Sequence, residues 1–261
     1  MLLAFIFFMA TQSANVDADG QITDNIQSVS RESKMENLLA AEDWFELGKL
    51  LKNPKDQTEF DADLMWLQRK TFEGKSAFLS LSYGAGLWYV ASAISDENQK
   101  RQVQSTSLLM HLYAIAASNI DGAQCVDRTA PQNRIEQIMR YTPEIWTFAA
   151  SLSDEERTQI VNYVVEVDKT TAEKPLETGD ANFLCKGGMS QITFGLANGT
   201  TREVAPEPSQ FGRQIKVDDG GKFKPELVSK EEWGKIAATR RVELRTVINT
   251  ILNVSKKRAP K

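Results

Sequence analysis

The sequence predicts a mainly α-helical bundle of about seven or eight helices, interrupted by one long irregular excursion. Three observations carry that prediction. Helix-start chemistry recurs along the chain, the apolar residues between starts repeat at three- and four-residue spacing, and two segments are apolar nearly all round.

The starts come first. Thr58 precedes Asp61, Thr129 precedes Gln132, Ser153 precedes Glu156 and Ser229 precedes Glu232. In each pair a hydroxyl can accept from an exposed backbone N–H while the later side chain reaches back. Thr142-Pro143 adds a start with proline in the first turn, where its missing N–H costs nothing. Trp44-Phe45-Glu46-Leu47-Gly48 opens another helix and supplies an aromatic anchor; no second copy follows about 34 residues later, so a tetratricopeptide array is not predicted.

Between the starts, Phe60, Leu64 and Leu67 form a helical stripe, as do Ile135, Ile138 and Met139, and Ile160, Val161, Val164 and Val167. Segments 77–94 and 108–120 are apolar nearly all round and are expected at the centre of the bundle. Ser80, Gly84 and Ala91 would let a neighbouring helix approach, and Gly84 with Gly86 marks a place for a kink. A C-terminal helix is expected over 230–253, its apolar side running from Trp233 through Leu244 to Ile251 with Arg240 as the charge on that side.

Residues 172–228 read differently, with eight of the chain's 15 glycines and only short apolar runs. The reading here is an irregular cover over the bundle, carrying a short hairpin of Gln214–Val217 and Lys222–Lys224 around Asp218-Asp219-Gly220-Gly221. The alternative is a flexible linker to a lone final helix.

The N-terminus is organised like an export signal. An apolar block, residues 2–10, is followed by small and polar residues through Ala18, and nine apolar residues are too few for a membrane span. The expected order is a signal peptide over 1–18, a flexible segment over 19–34 and a helical domain over 35–261, with the working protein periplasmic or extracellular. The competing reading makes the block the first buried element of the fold.

Export gives the two cysteines their meaning. Cys125 and Cys185 are expected to pair, because an exported chain with two cysteines usually oxidises them. Two cysteines and one histidine are too few for a zinc site, and neither a metal nor another cofactor is expected.

Charge is uneven. The net charge is −4, yet residues 202–261 carry +6 and the remainder −10. That asymmetry suits a basic C-terminal helix lying on an acidic body, or a partner steered by the field. The basic residues are interrupted by acids and have few aromatic neighbours, so a nucleic-acid partner is not expected.

Motifs with chemistry are few. His111, in Leu109-Met110-His111-Leu112-Tyr113, reads as a core histidine bonded to a carbonyl or hydroxyl, since no Gly-x-Ser-x-Gly elbow accompanies it. Lys186-Gly187-Gly188-Met189-Ser190 lacks the ending of a phosphate loop and reads as a backbone turn beside Cys185. Asn198-Gly199-Thr200 and Asn253-Val254-Ser255 have the glycosylation pattern. The best candidate ligand-binding residues are Asp121, Asp127 and Arg128, two carboxylates and a guanidinium on a loop fixed by Cys125. The functional expectation is a protein that binds another macromolecule of the cell envelope or extracellular space, in an inhibitor, immunity or assembly role. The alternative is an envelope hydrolase using carboxylate acid–base chemistry.

Overall fold

The structure, a computed structural model, describes residues 30–74, 76–174, 180–204 and 214–258. The expected signal peptide lies outside these residues. At the centre stands α5 (Glu97–Asp121), and its segment Leu108–Ala117 is buried on every side. With apolar residues on every face and His111 alone among them, no face of the segment can be given to water at low cost. Against α5 lies α4 (Ala77–Ala93), and the approach is as close as its small residues allow. Ser80 and Gly84 are fully covered, and Ser107 Oγ donates to the Gly84 carbonyl at 2.6 Å. No break interrupts α4 at its glycines, where Gly84 faces His111 and Met110 of α5 and Gly86 faces Leu64 of the third helix.

Three helices precede this pair: α1 (Arg31–Ala40), α2 (Trp44–Leu51) and α3 (Gln57–Glu73). α1 begins inside the 19–34 stretch expected to be irregular, because the Arg31 guanidinium docks on Asp63 of α3 at 2.8 Å and on the Leu50 carbonyl at 2.6 Å. α3 starts earlier than Thr58 implies. Asp56 accepts from Glu59 N at 2.9 Å, and a carboxylate two residues upstream takes the cap that Thr58 would have made.

The following helices are α6 (Thr129–Tyr141), α7 (Pro143–Ser151) and α8 (Asp154–Thr171). Ser153 and Glu156 close the expected capping box at the start of α8. Thr129 instead sits inside α6, and Asp127 accepts from its N–H at 2.9 Å. Pro143 opens α7 as expected, though Thr142 makes no side-chain cap.

The excursion is more regular than its composition implies. It holds α9 (Asp180–Cys185), α10 (Met189–Asn198), and an antiparallel pair of β1 (Thr200–Val204) and β2 (Gln214–Asp218). The hairpin partner foreseen at Lys222–Lys224 is therefore replaced by β1. Asp218 and Asp219 do accept from the Gly220 and Gly221 N–H groups, both glycines at positive φ, but the chain then leads on to Pro225 without pairing back. β2 is held from its other side, where Val217 lies so close to Gly195 of α10 that a Cβ there would meet it at 2.4 Å.

The last helix, α11 (Lys230–Arg258), is longer than the expected 230–253 and packs on α5, α7 and α8. Three of its basic side chains reach the body. Arg240 donates to the Asn119 carbonyl, Arg241 lies 3.3 Å from Asp168 and Arg245 donates to Asn162 at 2.6 Å. In return Arg157 of α8 donates to the Leu252 carbonyl at 3.0 Å. Among the described residues no helix is long and apolar enough to cross a membrane.

Candidate functional site

Cys125 and Cys185 form a disulfide across a separation of 60 residues, with Cα atoms 5.2 Å apart. It ties α9 to the short 3-10 turn Gly122–Gln124 that ends α5. The neighbouring chain seals the junction, since Val126 N donates to the Glu226 carbonyl at 3.0 Å.

The three residues singled out beside this disulfide are turned toward the chain itself. Asp121 is 2 % exposed at the end of α5. Asp127 caps two helices at once: one oxygen accepts from Thr129 N and Oγ1, the other from Ser190 N at 2.7 Å. Burial raises its pKa, but those donors outweigh the burial and hold the carboxyl below its ordinary value. Arg128 donates to the Ala123 carbonyl. Gly187, at φ 87°, makes the turn between α9 and α10 that the sequence assigns to it, and Gly188 leaves room for Asp127.

His111 is fully buried, its Nδ1 2.9 Å from the Ser107 carbonyl. Burial pushes its pKa down to about 4, against a smaller upward pull from that carbonyl. It is a core residue without an opening to solvent. Of the two sequons, Asn198 is exposed at the end of α10, while Ser255 of the second is buried within α11.

The opening that the structure does offer is a groove of about 890 Å³ between α2, α3 and α4, closed at one end by α6 and α9. Its floor is apolar because the helix stripes that face it, Leu64 and Leu67 on α3 and Leu81 on α4, meet without filling the space between the helices. At the closed end Trp44, Phe78 and Phe183 pack with ring centroids 4.9 to 5.8 Å apart. At the far end Phe60 meets Tyr89 edge-on at 5.2 Å. The rim carries two large exposed aromatics, Phe45 at 78 % and Tyr89 at 64 %, beside the exposed Lys52, Asp56 and Gln57.

Two carboxylates line the groove, and both are engaged. Asp56 caps α3, and Asp63 accepts from Arg31 through both of its oxygens. Arg134 of α6 is the cation at the closed end, stacked 4.1 Å above the Phe183 ring. Its Nε and Nη2 donate to the Phe183 carbonyl at 3.2 and 2.9 Å, and Nη1 donates to Gln137 at 2.6 Å. Burial lowers its pKa to about 10, offset only in part by the more distant Asp180 charge. Of this site the sequence signalled the Trp44-Phe45 helix start and the apolar positions Phe60, Leu64, Leu67 and Ile138; Tyr89, Arg134 and Phe183, on α4, α6 and α9, are joined to that start by no local pattern. Among the described residues no three His, Cys, Asp or Glu side chains come together as metal ligands. Comparisons with protein-family models, with curated proteins and with solved structures return no match.

Proposed function

We propose that this is an exported binding protein that takes an apolar portion of another macromolecule of the cell envelope or extracellular space into the groove between α2, α3 and α4. The observation that carries the proposal is the pair of exposed aromatics, Phe45 and Tyr89, beside a hollow of about 890 Å³. Large aromatic side chains left in water beside a hollow are costly unless a partner covers them. A hydrolase would place a shielded acid in the same hollow beside a second, charged carboxylate. Asp56 and Asp63 are instead spent on a helix cap and an ion pair, which favours binding over hydrolysis.

The test is a comparison of the oxidised protein with a Phe45→Asp, Tyr89→Asp double variant, both presented to envelope extract. Both positions are exposed, so the fold is expected to survive. A partner held in stoichiometric amount by the parent and lost by the variant supports the reading. Equal retention by both overturns it, and hydrolysis of cell-wall glycan by both would favour the enzyme. Intact mass of the protein recovered from its native source tests export, the expected mature chain lacking residues 1–18.

A further inference from the structure

We infer that the groove receives the C-terminal tail of a polypeptide partner, with about five apolar residues along α4 and the terminal carboxylate on Arg134. This rests on the groove being the binding surface and adds the chemistry of its occupant.

Charge sets the end. Arg134 lines the groove, yet no carboxylate of the described residues lies within ion-pair distance of it. A guanidinium has five N–H groups, and the bonds to Phe183 and Gln137 use three. One N–H remains on each terminal nitrogen, the number that a bidentate carboxylate takes up. Asp180, the nearest opposing charge, is occupied with Ser76 Oγ at 2.7 Å. A partly desolvated cation with no counterion among the described residues is costly, and an incoming carboxylate would relieve that cost.

Length and polarity set the rest. The groove follows α4 from Phe78 to Tyr89, eleven residues of helix or about 16 Å. An extended peptide covers that span with about five residues. Two cations line the groove, the exposed Lys52 and the half-buried Arg134. The desolvated Arg134 is the one that gains from a counterion, so the carboxylate belongs at its end of the apolar segment, as a chain terminus supplies it. The walls ahead of it are aromatic and aliphatic, so the residues before the terminus are apolar.

The probes are two fluorescent pools of pentapeptides built from Leu, Ile, Val, Phe and Met, identical except that one carries free C-terminal carboxylates and the other amides. Anisotropy titration of the oxidised protein is expected to favour the free-acid pool at least tenfold. Arg134→Gln should erase that difference. Arg134→Lys, which keeps the charge but not the fork, should restore part of it, with circular dichroism confirming that both variants are folded. Equal binding of the two pools would overturn the carboxylate anchor while leaving the groove as a binding surface. Binding of neither pool would overturn both. Tight binding of dodecanoate with both peptide pools silent would overturn the polypeptide occupant in favour of an acyl carboxylate.

Discussion

A Cβ built on Gly84 would lie 2.6 Å from Nδ1 of His111. The α4–α5 contact therefore has no room for a single methyl group, and the ring that fills the space cannot swing away, being fully buried. Gly84→Ala should force these two helices apart and destabilise the protein by about 1 to 3 kcal/mol, despite alanine's better helix propensity. Gly234 of α11 provides the contrast, because nothing lies within 4 Å of a Cβ there. Gly234→Ala should stabilise by roughly 0.5 to 1 kcal/mol. Urea denaturation of the two variants checks both signs, and a neutral Gly84→Ala would refute the packing argument.

The same burial makes His111 a source of acid sensitivity. Its folded pKa is about 4, below the ordinary 6.5. Between those values the unfolded chain binds the proton and the folded chain does not, so stability falls as pH falls from 6.5 toward 4. The loss between pH 7 and pH 5 should be about 2 kcal/mol. Carboxylates held below their ordinary values, such as Asp127 and Glu156, keep their contribution at these pH values and lose it mostly at lower pH, because their unfolded forms begin to protonate only there. Denaturation curves of the parent and of His111→Leu at the two pH values isolate the histidine, and an unchanged pH slope in the variant would assign the sensitivity elsewhere.

Removing the Cys125–Cys185 bond acts mainly on the unfolded chain. Opening a loop of 60 residues should cost about 4 kcal/mol in the chain-entropy account, less where the denatured chain stays compact. Helices α4, α5 and α11 make their contacts without the bond, so the far-ultraviolet circular dichroism of Cys125→Ser should stay close to that of the parent while its Tm falls. A variant as stable as the parent would show that the closed loop contributes little. Maleimide labelling without reductant should modify neither cysteine.

What the sequence revealed and what it concealed divide along one physical line. Segment 108–120 and the capping box at Ser153 and Glu156 are local facts, decided by residues a few positions apart, and both were readable. The excursion was misread because α9 has only six residues and α10 ten, too short to announce themselves by periodicity. What holds them is distant: the disulfide, Asp127 reaching Ser190, and Arg134 reaching the Phe183 carbonyl. The groove is hidden for the same reason. Its aromatic end joins Trp44, Phe78 and Phe183, and nothing in the sequence near Trp44 says which helices will face it.

Asp127, read from the sequence as a candidate ligand holder, serves two helix starts in the structure. Its two oxygens accept from the first residue of α6 and the second of α10, Asp127 and Ser190 lying 63 positions apart. Asp127→Ala removes both caps and should cost about 2 kcal/mol, at the upper end for one cap because two helix starts lose their acceptor. Asp127→Asn keeps an acceptor oxygen for one start and should recover roughly half of that. Because the carboxyl is held below its ordinary pKa, its contribution is present above the unfolded pKa and is lost as the pH falls through the lower folded value. The parent should therefore approach Asp127→Ala in stability at low pH and exceed it at neutral pH. Melting temperatures of the three proteins across that range measure the effect. A fully stable Asp127→Ala that loses partner binding would return the residue to the ligand-holding role.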